Sequence, residues 1–226
     1  YRYLAIGGLV PLKVDAIKAV LTAIRERIRP ETDIHLLGFA KADSIQEFTG
    51  FGITSFDSTS PLIRAFKDEK ANYYSEGSDG RLEYYTAIRI PQATENARLM
   101  QGIKRGQFSA EDLLRRERRA LHEVRAYDRG ASSAEATLDA VMDYHQFLLR
   151  GDGTGAAQQD KALHKTAALV QRTLEHKPWK DCDCAVCRDI GVEVIIFRSS
   201  NRNKRRGMHN LGVYHRHLSK TIKEAA

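Results

Sequence analysis

Three thiols and one imidazole lie close together in the last fifth of the sequence. Cys182, Cys184 and Cys187 form a C-x-C-x-x-C knot, and His209 follows within His209-Asn210-Leu211-Gly212-Val213-Tyr214. These are the only 3 cysteines in 226 residues, so the knot uses every thiol and leaves none for a disulfide framework. Three thiolates and an imidazole are the donor set of a closed tetrahedral Zn²⁺ site, which braces structure and leaves no position open for substrate. A redox pair or a chance cluster are the other readings of such spacing. A structural site names no reaction.

The reactive group must come from elsewhere. Asp57 sits at the C-terminal tip of the apolar run Gly52–Phe56, and in parallel α/β folds ligands bind at those tips. A carboxylate there can act as a nucleophile in glycosyl transfer, or it can simply cap the turn Ser58-Thr59-Ser60-Pro61. Gly7-Gly8 likewise ends a strand, where a backbone without side chains can approach a planar ligand or only make a tight turn. Arg198, Arg202, Lys204, Arg205 and Arg206 put five cations into nine residues without an acid, and are read as a basic loop that clamps phosphates. The run Arg115-Arg116-Glu117-Arg118-Arg119 contains an acid and reads as a solvated helix face.

These groups need a frame. Residues 1–60 alternate strand and helix: Tyr3-Leu4-Ala5-Ile6, an amphipathic helix over about 13–29, Ile34-His35-Leu36-Leu37, a short helix opened by Ser44 and Glu47, then Gly52–Phe56. Short links between such units imply a parallel sheet, either small and open or part of a (β/α)₈ barrel. Residues 61–90 are tyrosine-rich and read as irregular. Charged helices are expected over 109–129, 133–149 and 156–176, broken at Gly130 and the glycine-rich 151–155. Val192–Phe197 reads as a short strand and the end of the chain as a helix from about 210. The domain reading is 1–65 for the βα units, 66–178 for the link and helical insertion, and 179–226 for the zinc-binding subdomain. The net charge of +7 and pI near 9.3 favour an anionic partner such as nucleic acid. No apolar run reaches a membrane span and no targeting segment is evident, so the sequence is read as cytoplasmic, with no membrane partner.

Taken in order, Gly7-Gly8-Leu9, His35-Leu36-Leu37-Gly38, Phe56-Asp57, the cysteine knot and His209-Asn210-Leu211 resemble the tRNA-guanine transglycosylase superfamily. The resemblance covers about 1–65 and 179–218. It implies a (β/α)₈ TIM-type barrel with zinc bracing a C-terminal subdomain, and exchange of guanine in a polynucleotide for a 7-deazaguanine base. It implies Asp57 as the nucleophile and the backbone of Gly7, Gly8 and Leu9 as the reader of the incoming base. It also implies a second catalytic carboxylate before residue 1, so the chain is expected to be the C-terminal portion of a barrel and inactive alone.

The pattern departs from the tRNA enzymes at several points. Ser58-Thr59-Ser60-Pro61-Leu62-Ile63-Arg64 stands where they carry a Cys-Val-x-Pro-Thr-Arg-like stretch, and Lys13 stands in place of an acid in the glycine loop. Asp57 and Cys182 are 125 residues apart, where the family has a few tens. This looks more like the DNA-modifying branch. DNA is therefore the favoured partner, with tRNA the alternative and a non-catalytic zinc-braced nucleic-acid-binding subunit the second. A homodimer or an accessory protein, and the role of the 93–177 helices, are left open.

Overall fold

The computed structural model describes residues 1–39, 47–48, 50–149, 155–198 and 200–224. The Ser44 capping residue and positions 151–154 of the glycine-rich turn lie outside them.

The alternating apolar runs form a parallel sheet in sequence order. β1 (Tyr3–Ile6), β2 (Asp33–Leu36) and β3 (Ile53–Phe56) lie side by side with β2 central. Registers run Ala5 to His35 to Ser55 and Ile6 to Leu36 to Phe56, with a bulge at Ile34/His35. Between β1 and β2, α1 (Val14–Arg25) lays Ile17 and Leu21 on one sheet face, where they pack with Ile34 and Leu36. The helix ends earlier than expected because Arg25 turns its guanidinium to the carbonyls of Thr32, Phe51 and Gly52 at 2.5–2.8 Å. That clamp ties the end of α1 to the entries of β2 and β3. On the opposite sheet face Tyr3 and Ala5 are exposed, and His35 and Ser55 are partly buried.

The tyrosine-rich stretch is regular, which corrects the irregular reading. It contains α2 (Ser60–Lys67) and an antiparallel hairpin of β4 (Tyr73–Glu76) and β5 (Leu82–Tyr85). Strand alternation sends adjacent tyrosines opposite ways. Tyr73 enters a core with the helical region, and Tyr74 enters the core beneath the sheet.

A short helix that was not expected, α3 (Ala97–Lys104), precedes three that fall close to their expected bounds: α4 (Ala110–Asp128), α5 (Ala134–Leu149) and α6 (Ala156–His176). Caps explain the starts, with Asn96 accepting from Arg98 and Leu99 N–H and Ser109 from Asp112 N–H. Leu113, Leu121 and Val124 of α4 pack with Val141, Tyr144 and Phe147 of α5. After α7 (Pro178–Asp181) and α8 (Ala185–Ile190) comes a two-residue strand, β7 (Ile196–Phe197), parallel to β6 (Ile88–Arg89). The expected strand from Val192 is shorter, because Gly191–Val194 form a 3₁₀ turn. The chain ends in α9 (Ser200–Glu224), ten residues earlier in onset than expected. Its Val213, Tyr214 and Leu218 join the core under the sheet. No helix among the described residues is long and apolar enough to cross a membrane.

Leu21 is fully buried between α1 and the sheet, whereas Leu37 is 46% exposed. Leu21→Ala is expected to cost about 2–5 kcal/mol and Leu37→Ala under about 0.5 kcal/mol, read from chemical denaturation midpoints.

Candidate functional site

The cysteine knot closes as the sequence reading expects. Cys182 and Cys184 lie around the start of α8, and the Cys184 sulfur accepts the Cys187 N–H at 3.3 Å. α9 delivers His209, whose Nδ1 lies 3.7, 3.3 and 3.4 Å from the sulfurs of Cys182, Cys184 and Cys187. Tetrahedral bonds of about 2.3 Å to sulfur and about 2.0 Å to nitrogen imply sulfur–nitrogen edges of about 3.5 Å, so the four donors fit one ion of that size. His209 Nε2 donates to the Tyr74 carbonyl at 2.8 Å, which leaves Nδ1 as the ligand. Tyr73 stacks on the imidazole at 4.1 Å between centroids, and its hydroxyl meets Cys187 Sγ at 3.4 Å.

The electrostatics of the knot suit a cation. A hydrogen bond from Cys187 holds the Cys182 thiol far below the usual thiol range, with His209 adding to it, while the Cys187 thiol that donates is pushed up. Burial alone would lower the His209 pKa, but the Cys182 and Cys184 sulfurs outweigh it and raise it to about 9. The anionic sulfurs recruit a proton to the imidazole, and a dication would replace it.

Asp57 stands at the opposite end of the chemistry. Because the three strands are parallel, Gly7-Gly8 after β1, Gly38 after β2 and Asp57 after β3 all lie at the C-terminal edge of one sheet. The carboxylate does not cap α2, whose N-cap is Thr59. Instead its Oδ1 accepts the Gly38 N–H at 3.1 Å and meets His35 Nε2 at 3.2 Å. The Gly38 N–H, followed by His35, lowers the Asp57 pKa, so the group is ionised at neutral pH. Gly38 holds that N–H in a left-handed turn, φ +69°, where a Cβ would also meet Val10 at 3.0 Å. Gly8 has φ +78° with open space above it, and Leu9 buries its side chain in the core. The sequence reading missed His35 as a site residue; only the strand register places it beside Asp57.

The basic run is not a loop. Residues 200–206 form the first turns of α9, and the five cations part company. Arg206 is fully buried: it donates to the carbonyls of Ala65 and Val194 and to Asn203 Oδ1, and it lies over the Phe197 ring. Burial lowers its pKa to about 9. Arg198 pairs with buried Glu117 at 2.5 Å, and Arg202 with Glu193 at 2.8 Å. These three are turned inward as structural ties, which corrects the phosphate-clamp reading for them. Lys204 and Arg205 are exposed. Next along α9, buried Asn210 donates to the carbonyls of Pro61 and Asn72 and accepts the Tyr74 N–H, pinning helix to hairpin.

Two outcomes follow from this geometry. The purified protein is expected to carry about one zinc per chain by elemental analysis, and Cys184→Ser or His209→Ala to lose it. Zinc retention should fall as pH drops, since protons compete for thiolates. Arg206→Ala is expected to destabilise by about 3 kcal/mol or more, because it strands buried carbonyls, while Lys204→Ala and Arg205→Ala leave the unfolding midpoint within about 0.5 kcal/mol.

No family model matches the chain. Over 222 residues it is 40% identical to a DNA-guanine transglycosylase of Salmonella montevideo, a match that takes in 98% of this chain and 50% of that protein. The chain thus spans half the length of that relative. The likeness is to a protein named for DNA-guanine transglycosylation, in keeping with the resemblance carried by the motifs from Gly7-Gly8-Leu9 to His209-Asn210-Leu211.

Proposed function

We propose that the protein containing this chain exchanges guanine in DNA for a 7-deazaguanine base through a covalent aspartyl-nucleoside intermediate. The observation that carries this is the ionised, half-exposed Asp57 carboxylate at the C-terminal edge of a parallel sheet, beside a glycine loop. The likeness to a protein named for DNA-guanine transglycosylation supports DNA over tRNA.

In the proposed reaction Asp57 Oδ2 attacks C1′ of the target nucleotide. The C1′–O bond forms as the C1′–N9 bond breaks, and guanine leaves with that electron pair. The deprotonated N9 of the incoming 7-deazaguanine then attacks C1′ from the other side and displaces Asp57, so two inversions retain configuration. A second carboxylate, which the resemblance places before residue 1, gives its proton to the departing guanine and then takes the N9 proton of the incoming base, so it ends the cycle as it began. The Gly7–Leu9 backbone reads the edge of the base, and the target nucleotide is drawn out of the helix to reach it.

The three-stranded sheet is read as consecutive units of a (β/α)₈ barrel whose remainder lies outside this chain. Cys182, Cys184, Cys187 and His209 hold a structural Zn²⁺, which fixes α8 against α9 and the hairpin and takes no part in the exchange. Thiolates kept reduced for a metal support a cytoplasmic setting. Lys204 and Arg205 remain as phosphate contacts.

The test uses the full-length protein with matched guanine-containing duplex DNA and tRNA. A covalent adduct with DNA on a denaturing gel, lost in Asp57→Ala with fold and zinc intact, is the expected result. An adduct with tRNA alone would move the protein to the tRNA enzymes. Binding to both without any adduct would make it a zinc-braced binding subunit.

A further inference from the structure

The sheet face opposite α1 carries a continuous polar string that the exchange chemistry alone does not require. On β1 the Tyr3 hydroxyl meets Ser55 Oγ of β3; Ser55 Oγ lies 2.7 Å from His35 Nδ1 of β2; and His35 Nε2 lies 3.2 Å from Asp57 Oδ1. The register makes this possible, since His35 and Ser55 are paired residues and the bulge at Ile34/His35 lets β3 run on to bring Asp57 within reach. Tyr3, His35 and Ser55 project from three neighbouring strands, and none of them belongs to either hydrophobic core among the described residues.

We propose that His35 is a positioning residue for Asp57, locked by Ser55 and Tyr3 with its proton on Nε2. This rests on the reading of Asp57 as the nucleophile. A carboxylate only accepts, so Nε2 donates to Oδ1. A neutral ring then accepts at Nδ1, which the Ser55 hydroxyl proton satisfies, and the Tyr3 hydroxyl proton in turn satisfies Ser55 Oγ. Every group in the string is served in one direction.

The consequence falls on the carboxylate. Rotation about the bond carrying an aspartate carboxyl is soft, with no sharp staggered minimum. Gly38 N–H and His35 both hold Oδ1, from the backbone and from the sheet face. With Oδ1 pinned, Oδ2 carries no hydrogen bond among the described residues and is presented as the attacking atom. Fixing one oxygen for attack is worth a large factor in rate when the reacting atoms must approach to about 3–3.5 Å.

The experiment is single-turnover adduct formation by the full-length protein at saturating duplex DNA, together with nitrogen NMR of its histidine rings. His35→Phe is expected to slow adduct formation about 10–100-fold with DNA affinity and melting temperature unchanged. His35→Gln, which returns an N–H toward Oδ1, should recover most of that loss, and Ser55→Ala should slow the step by a smaller factor. Adduct formation at the wild-type rate in His35→Phe, while Asp57→Ala forms none, would overturn the positioning role and leave base exchange standing. If the wild-type protein forms no adduct, base exchange fails, and the ring spectra decide the positioning role. A single Nε2–H tautomer of His35 that becomes mixed in Ser55→Ala supports it; an Nδ1–H or averaged ring in the unaltered protein overturns it.

Discussion

The contact on which the rest of the structure depends is the one His209 makes on both sides of its ring. One nitrogen faces three sulfurs and the other donates to the Tyr74 carbonyl, while Tyr73 lies flat against the imidazole. Tyr73 and Tyr74 belong to different cores, so this one ring sits where the helical core and the sheet core meet. Cys182 packs against both clusters as well. A metal bound there does more than close a loop of the chain. It would fix the seam along which two hydrophobic cores are joined, and so brace α9 against the sheet that carries Asp57.

How far the sequence exposed this depends on what each element buries. α4, α5 and α6 announce themselves because their buried faces are largely apolar, and Ser109 and Ser133 cap the starts of α4 and α5. α9 hides its first half because that buried face is polar: Asn203, Arg206, His209 and Asn210 recur at helical spacing but carry no hydrophobic signal. The hairpin was hidden for a related reason. Tyr73 and Tyr74 are both buried, so β4 lacks the in-and-out alternation that marks a strand with one wet face. The Cys182, Cys184, Cys187 and His209 cluster, which could hold a metal ion, was legible from its spacing. The place of Asp57 at the tip of β3 was legible. His35 was not, because what matters about it is its partner across a strand, and a register with a bulge cannot be read from one strand at a time.

The charge tells a similar story about what composition conceals. The chain carries +7, yet many of its arginines point inward or sideways to hold elements together. Arg25 gathers three backbone carbonyls, Arg206 gathers carbonyls with no acid beside it, and Arg116 joins Asp112 of its own helix to Asp143 of α5. Guanidinium suits this work, since its fixed fork of donors meets several acceptors and it stays charged when partly desolvated. A basic run in a sequence therefore splits into cations that build the fold and cations that meet solvent, and only burial separates them.

The union of α9 with the sheet bears on the order in which the chain assembles. Val213, Tyr214 and Leu218 complete the core that Ile17, Leu21, Ile34 and Leu36 begin, so residues roughly two hundred positions apart share one hydrophobic cluster. During synthesis the first strands emerge long before the helix that covers them. Loop closure over so long a span makes that docking entropically costlier than the local contacts of the intervening helices. The helical region closes on contacts near in sequence, whereas docking α9 against the sheet closes a loop of nearly the whole span between them.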